Sequence, residues 1–389
     1  MKSPPWPQQP WNRAKGNSFF FPAILAAFTL VTRILCRGPL YFGDGPKIVE
    51  SILEKIYIVQ PPGYWLFARA AGLFSNPVLA ITVMNILFSV FGVVIFYYTA
   101  CLFTSRVNAC IAAFAYSTVF YAWFSGEIHS TYASQLCFPV ATFYVLLCYE
   151  RGRMRWLLVL AAGLFAMGAG FRPTDGMFLI PLLLYFALFR MPRKNGLLFL
   201  ALAAVLCLGW LVPTWLAYRQ EAGGVQAFTH YVSLVVRVQS VLTGVRMYTV
   251  ANFVRYILPL LVGFWPVAGL VVTNALRYRK DWRVKTLLIW IVPGSLFFLF
   301  SLISNAPYLN YLTAAILLLA VSAPSTWARR LLMMTVLWNA FVFLALGPVP
   351  SQKLPVNIVN SFVLRCTRGG IAQRYDIILS QMQHLDSTQ

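Results

Sequence analysis

Long apolar segments alternate with short polar connections along almost the whole chain. A helix needs about 20 mostly apolar residues to cross the hydrocarbon core of a bilayer, and most of the segments approach that length. The pattern therefore predicts an all-α polytopic membrane protein with about 11 transmembrane helices. These spans are predicted at residues 19–37, 78–103, 107–125, 131–149, 156–171, 176–189, 197–217, 253–275, 286–303, 308–323 and 327–347.

The connection between the first two spans, residues 38–77, has its own pattern. A Gly-Asp-Gly-Pro turn that holds Asp44 precedes a stretch in which apolar residues recur at helical spacing from Lys47 onward. The residues on that apolar face are Ile48, Val49, Ile52, Leu53 and Ile56. Pro61-Pro62-Gly63-Tyr64 then interrupts the chain before a second, nearly all-apolar helix. We predict that these helices lie in the membrane interface as part of the first outer loop.

The composition agrees with a membrane protein, since 60% of the 389 residues are hydrophobic, 11% are charged and the mean hydropathy is +0.71. The formal net charge of +21 would suit a nucleic-acid binder. However, the Lys and Arg residues fall in short runs between apolar segments, as topology signals do. We therefore expect membrane lipids as neighbours and no nucleic acid as a partner. The seven cysteines form no Cys-x-x-Cys motif, and neither a disulfide framework nor a zinc site is predicted.

The basic residues also predict the orientation. Alternate short connections are rich in Lys and Arg, whereas 126–130 and 304–307 hold none and 171–176 holds only Arg172. By the positive-inside rule, the N-terminus lies inside and the C-terminus outside. This orientation divides the chain into a transmembrane domain at 1–347, with outer loops at 38–77 and 218–252, and an extracytoplasmic tail at 348–389.

Most acidic and histidine side chains then fall on the outer face. Asp44 precedes the first-loop helix, where it is either a helix N-cap or a catalytic carboxylate. Glu127 and His129 share the second outer connection, and they either face interfacial water or belong to a membrane-buried site, where such groups are costly. Arg172 has three interpretations: it binds a phosphate through its guanidinium fork, pairs with Asp175, or reaches lipid head groups.

Several short motifs follow one another in a recognisable order. They are Gly43-Asp44-Gly45, Gln60-Pro61-Pro62-Gly63-Tyr64-Trp65, the outer acidic turn at Glu127, the inner turn with Arg151, Arg153 and Arg155, and Gly170-Phe171-Arg172-Pro173. Over roughly residues 20–190 the chain thereby resembles the GT-C glycosyltransferases of the protein O-mannosyltransferase and aminoarabinose-transferase type. That family has a Lys before the sixth span, where this chain has Arg172.

The resemblance implies transfer of a sugar from a polyprenyl-phosphate carrier to a lipid, glycan or protein acceptor outside a bacterial cytoplasmic (inner) membrane. It implies Asp44 as the general base, and attack opposite the leaving phosphate predicts inversion at C1. The expected ligands of the donor phosphate are Arg172, Lys47 and Arg69. The expected substrate contacts are Glu127, His129, Tyr64, Asp175, His230 and Arg237. No cofactor or metal site is assigned, and assistance by a divalent metal is left open.

Two other functions fit the sequence. A transporter or flippase for an anionic lipid-linked substrate also needs outward-facing basic residues, although no inverted repeat of the kind common in transporters is visible. A lipid-linked glycan ligase would place its main groups in a later loop, so Arg237 or Arg246 would then matter more than Asp44.

Overall fold

The computed structural model describes residues 19–37, 45–53, 64–220, 246–300, 306–322, 326–348, 359–360 and 362–373. Within these ranges the chain forms helices and no strand. The helices are α1 Phe20–Leu35, α2 Gly45–Leu53, α3 Trp65–Ala71, α4 Pro77–Cys101, α5 Arg106–Thr118, α6 Phe120–Glu127, α7 Ser134–Gly152, α8 Trp156–Phe171, α9 Pro173–Tyr185, α10 Arg193–Gln220, α11 Arg246–Arg277, α12 Trp282–Phe300, α13 Asn310–Val321 and α14 Thr326–Ala345. A π-helical turn, Phe186–Arg190, extends α9. The predicted all-α class is confirmed.

The span predicted at 107–125 differs from the structure, because the helix breaks at Val119 and α6 bends away from α5 by 59°. Val119 has the extended backbone angles φ −48° and ψ 121°. The Asn339 side chain compensates for the break, since its Oδ1 accepts a hydrogen bond of 3.1 Å from the backbone N–H of Phe120. A residue far along the chain therefore stabilises this bend, and no local pattern predicts it.

Six helices of the described ranges are long and apolar enough to cross a membrane, or seven if the bent pair α5–α6 is one span. Three shorter apolar helices are also present: Phe20–Leu35, Trp156–Phe171 and Ala306–Val321. The described residues therefore hold six or seven candidate membrane spans, while the number of 11 and the N-in, C-out orientation stay predictions.

The two predicted helices of the first loop are present as α2 and α3. Ile48, Val49 and Ile52 are buried and join a hydrophobic cluster with Phe67 of α3 and Phe171 of α8. Leu53 was predicted on the same face, but it is 65% exposed. The apolar stripe is therefore narrower than predicted, and it packs against the protein. Ile56 lies outside the described residues.

Two sets of helix ends meet at opposite ends of the bundle. At one end, α6, the start of α7, the junction of α8 and α9, and the start of α13 are joined by hydrogen bonds. At the other end, the C-terminus of α7 contacts the π-helical turn after α9, and the start of α12 packs beside them. Residues 362–373 of the predicted tail pack into the main core through Phe362, Val363, Cys366 and Ile371. The first of these ends carries the candidate chemistry.

Candidate functional site

Arg172 is placed by the junction between two helices. It follows the last residue of α8 in an extended conformation, with φ −150° and ψ 97°, and Pro173 begins α9. A proline disfavours helical backbone in the residue before it, and this explains the break at Arg172. The guanidinium is directed into the bundle, and only 2% of the residue is exposed.

The contacts of the Arg172 guanidinium are polar on one side and aromatic on the other. Its Nη1 donates a hydrogen bond of 3.0 Å to Thr131 Oγ1, and its Nε lies 3.5 Å from Asp175 Oδ1. The guanidinium carbon lies 4.4 Å from the ring centre of Tyr132 and 4.8 Å from that of Tyr308. The two rings and the carboxylate offset part of the free-energy cost of removing the guanidinium from water.

Asp175 completes a buried ion pair with Arg172. Asp175 is 3% exposed and lies in the first turn of α9, where a carboxylate also interacts favourably with the helix dipole. Gln135 Nε2 donates a hydrogen bond of 2.6 Å to Asp175 Oδ1. The pairing considered from the sequence is therefore present, whereas a side chain reaching lipid head groups does not fit a buried Arg172.

Glu127 and His129 are buried as well, at 2% and 4% exposure, so the interpretation that they simply face interfacial water is wrong. Trp123 Nε1 donates a hydrogen bond of 3.1 Å to Glu127 Oε1. His129 Nε2 lies 2.9 Å from Thr82 Oγ1. The same connection carries Thr131, so Glu127 and His129 are close in sequence to the residue that accepts a hydrogen bond from Arg172.

Arg33 also lies beside the candidate site, and the sequence interpretation did not include it. It lies in the last turn of α1 and is 1% exposed. Its Nη2 donates a hydrogen bond of 2.7 Å to the carbonyl of Ser117, and its guanidinium carbon is 5.3 Å from the ring centre of Trp123. It interacts electrostatically with Glu127. The available signal was a lone charge inside an apolar span, which usually faces the bundle interior.

Asn310 was also missed, and it joins three parts of the site. Its Nδ2 donates to Ser125 Oγ at 2.8 Å and to the carbonyl of Tyr132 at 3.2 Å. It thereby holds the start of α13 against the connection between α6 and α7. An amide at the start of an otherwise apolar helix is the corresponding sequence signal.

Gly126 is required by the close approach of Arg33. A Cβ added there would lie 2.6 Å from Arg33 Nε and 2.7 Å from Ser89 Oγ. We expect Gly126→Ala to lower the free energy of unfolding by about 1–3 kcal/mol, because the buried Arg33 cannot move away without losing its hydrogen bond. Gly163→Ala in α8 is the matched control, since no atom lies within 4 Å of its added Cβ. Thermal unfolding of both variants in one detergent measures the difference, and equal melting temperatures would contradict the close packing.

The remaining candidates are placed as follows. Tyr64 immediately precedes α3 and interacts electrostatically with Arg172. Arg69 is exposed on α3, with its guanidinium carbon 5.6 Å from the ring centre of Trp65. The side chain of Lys47 and all of Asp44, His230 and Arg237 lie outside what the structure describes. The described ranges contain no group of three or more His, Cys, Asp and Glu residues that would hold a metal ion.

Residues 59–216 match the sequence model of the family described as dolichyl-phosphate-mannose-protein mannosyltransferase. Comparison with the curated proteins and with the solved structures found no match. The resemblance inferred from the motifs is confirmed over residues 59–216, which include Glu127, His129, Arg172 and Asp175. Asp44 lies before the matched stretch.

The apolar helices and the family match together indicate a multi-pass membrane protein. The match supports a membrane glycosyltransferase of the GT-C type. Such an enzyme uses a lipid-linked sugar donor and an acceptor.

Proposed function

We propose that this protein transfers a sugar from a polyprenyl-phosphate carrier to an acceptor on the extracytoplasmic side of a bacterial cytoplasmic membrane. The observation that carries the proposal is the family match over residues 59–216. The match spans the junctions at which the buried Arg172, Asp175, Glu127 and His129 lie. The family name refers to mannose carried on dolichyl phosphate, and the assay below identifies the sugar and the acceptor of this chain.

In the proposed reaction, the Asp44 carboxylate takes the proton of an acceptor hydroxyl as its oxygen attacks C1 of the sugar. A bond forms between that oxygen and C1, and the bond from C1 to the phosphate oxygen breaks. The bonding electron pair stays on the phosphate, which leaves as polyprenyl phosphate. Attack from the face opposite the leaving group inverts the configuration at C1.

The proposed role of Arg172 is to stabilise the negative charge on the leaving phosphate. The contacts with Thr131 and Asp175 hold the guanidinium in place before a substrate arrives, and such preorganisation makes a charge effective in a site shielded from water. A guanidinium also carries five N–H donors in a planar fork that suits phosphate. Lys47 and Arg69 are proposed to add positive charge from the first outer loop.

The other candidates are proposed to contact the substrates. Tyr64 interacts electrostatically with Arg172, which supports a role at the donor end of the site. His129 and Glu127 are proposed to bind sugar or acceptor hydroxyls, since both have polar side chains in a shielded position. His230 and Arg237 in the loop 218–252 are proposed to contact the substrate from outside the matched stretch.

A direct assay tests the proposal. The purified full chain is mixed with a panel of polyprenyl-phosphate sugars and an envelope extract as the acceptor, and the release of polyprenyl phosphate is measured by mass spectrometry. We expect release with at least one donor, and a product linkage of inverted configuration at C1. Movement of an intact donor across a proteoliposome bilayer without release would identify a flippase and contradict the proposal.

A further inference from the structure

A cleft lies at the end of the bundle opposite the candidate site. Its apolar lining comes from Leu102, Phe103 and Leu147, and its polar lining from Glu150, Arg151, Trp282 and Arg283. Its cavity volume is about 50 Å³, and it opens to solvent. The turn after α4, the C-terminus of α7 and the N-terminus of α12 thus form one depression, with an apolar wall beside charged groups.

The cleft and its rim carry more positive than negative charge. Glu150 forms ion pairs with Arg153, at 3.1 Å, and with Arg190. Arg190 lies over the Trp282 ring at 4.2 Å. These contacts occupy Glu150 with two arginines that stand at the edge of the cleft. Because the Glu150 carboxylate already pairs with Arg153 and Arg190, it balances little of the positive charge of the arginines that line the cleft.

Arg151 and Arg283 are those arginines, and they are near enough to interact unfavourably with each other. Asp281 is the acidic residue that acts on Arg283, and its Oδ1 also accepts a hydrogen bond of 2.8 Å from the Arg283 backbone N–H. The surroundings therefore contain two carboxylates, Glu150 and Asp281, against four guanidinium groups: Arg151, Arg153, Arg190 and Arg283. An anion between Arg151 and Arg283 would relieve their repulsion.

The tryptophans at this end of the bundle favour a position of the cleft at the depth of the lipid head groups. Trp156 and Trp282 begin α8 and α12, and Trp327 follows the first residue of α14. Arg329 Nε of α14 donates a hydrogen bond to Asn108 in the first turn of α5. Helix α5 follows the turn after α4 that lines the cleft, so the start of α14 lies at the same end of the bundle as the cleft. Tryptophans collect at the interface between hydrocarbon and water. A cleft lined by Trp282 therefore opens where phospholipid phosphates are found.

We propose that this cleft binds the phosphate of an anionic phospholipid between Arg151 and Arg283. The acyl chains would leave over Leu102, which is half-buried, because Phe103 and Leu147 are buried in the wall behind it. A lipid fits better than free phosphate because one wall of the cleft is apolar and the nearby tryptophans favour an interfacial position. Basic pockets between membrane helices are known to select such head groups. The site is separate from the sugar-transfer site and does not depend on the proposed function.

The experiment uses the purified full chain in detergent, with phosphatidylglycerol as the probe and native mass spectrometry to count bound lipid. Each Lys or Arg near an anionic surface contributes enough for about a fivefold change in affinity. We therefore expect about fivefold weaker binding for Arg151→Gln and about 25-fold weaker binding for Arg151→Gln with Arg283→Gln. Arg330→Gln is the matched control, because Arg330 is exposed at the same end and stacks on Trp327, away from the cleft.

Three outcomes are decisive. Weaker phosphatidylglycerol binding in the cleft variants only, with little phosphatidylcholine bound to any form, supports the proposal. Equal binding by the wild type and the Arg151→Gln variant overturns it, and this variant is safe for folding because Arg151 is exposed. Displacement of the lipid by millimolar inorganic phosphate would assign the cleft to free phosphate and also overturn the lipid assignment.

Discussion

Asp44→Asn is expected to lower the rate of sugar transfer by about 10² or more while leaving the melting temperature unchanged. The substitution keeps the shape of the side chain but removes the basicity needed to deprotonate a hydroxyl. Helix α2 begins at Gly45, directly after Asp44. The position of Asp44 is therefore consistent with a helix N-cap as well as with a catalytic base. Asparagine caps a helix about as well as aspartate does. A pure N-cap role therefore predicts near-normal stability and near-normal transfer.

The measurement is the initial rate of polyprenyl phosphate release by the purified Asp44→Asn variant, with its melting temperature and donor binding recorded in parallel. Glu50→Gln is the matched control, since Glu50 is an exposed carboxylate on the same helix. Unchanged transfer in a folded Asp44→Asn variant would end the assignment of Asp44 as the base. The search would then move to Glu127, whose buried carboxylate lies within the matched stretch.

Arg172→Ala is expected to lower the transfer rate by about 10²–10³, the usual scale for removing one charge-stabilising donor. Arg172→Lys is expected to retain part of the activity, because it keeps the charge but loses the planar fork. The structure adds a cost in stability, since the alanine variant leaves Asp175 buried without its partner. Breaking a buried pair in this way costs about 3–5 kcal/mol of unfolding free energy.

A double variant separates the two effects. Arg172→Ala combined with Asp175→Asn removes the unpaired charge, and we expect it to recover much of the stability but little of the activity. Rates are measured below the melting temperature of each variant. Recovery of both stability and transfer would show that Arg172 only maintains the fold, and the donor phosphate would then have to be bound elsewhere.

The helices of the protein were largely predictable from the sequence, because helix formation depends on residues that are close along the chain. Backbone hydrogen bonds in a helix join residues four apart, and a membrane span must be apolar along its length. Both constraints act on consecutive residues, so the sequence pattern shows them directly. The predicted first-loop helix illustrates this, because α2 starts at the Gly-Pro turn and buries Ile48, Val49 and Ile52. The short second helix likewise begins immediately after Tyr64.

Whether the charged residues are buried or exposed was less predictable from the sequence. Glu127 and His129 end a predicted span, and their sequence position allowed both an exposed and a buried location. Their burial results from packing against α1 and α4, through Trp123 and Thr82. Arg33 raises the same problem, since its neighbours in sequence do not reveal that it lies beside Trp123 and Glu127.

The sequence by itself determined the helical class, most helix positions, the break before Pro173 and the family resemblance, because each depends on residues that are close along the chain. Only the tertiary structure decided the bend at Val119, which depends on Asn339, and the pairing of Arg172 with its ligands. Thr131 lies 41 positions before Arg172, and Gln135 lies 40 before Asp175. Contacts at such separations depend on how helices pack, and helix packing follows from side-chain shapes on several helices at once.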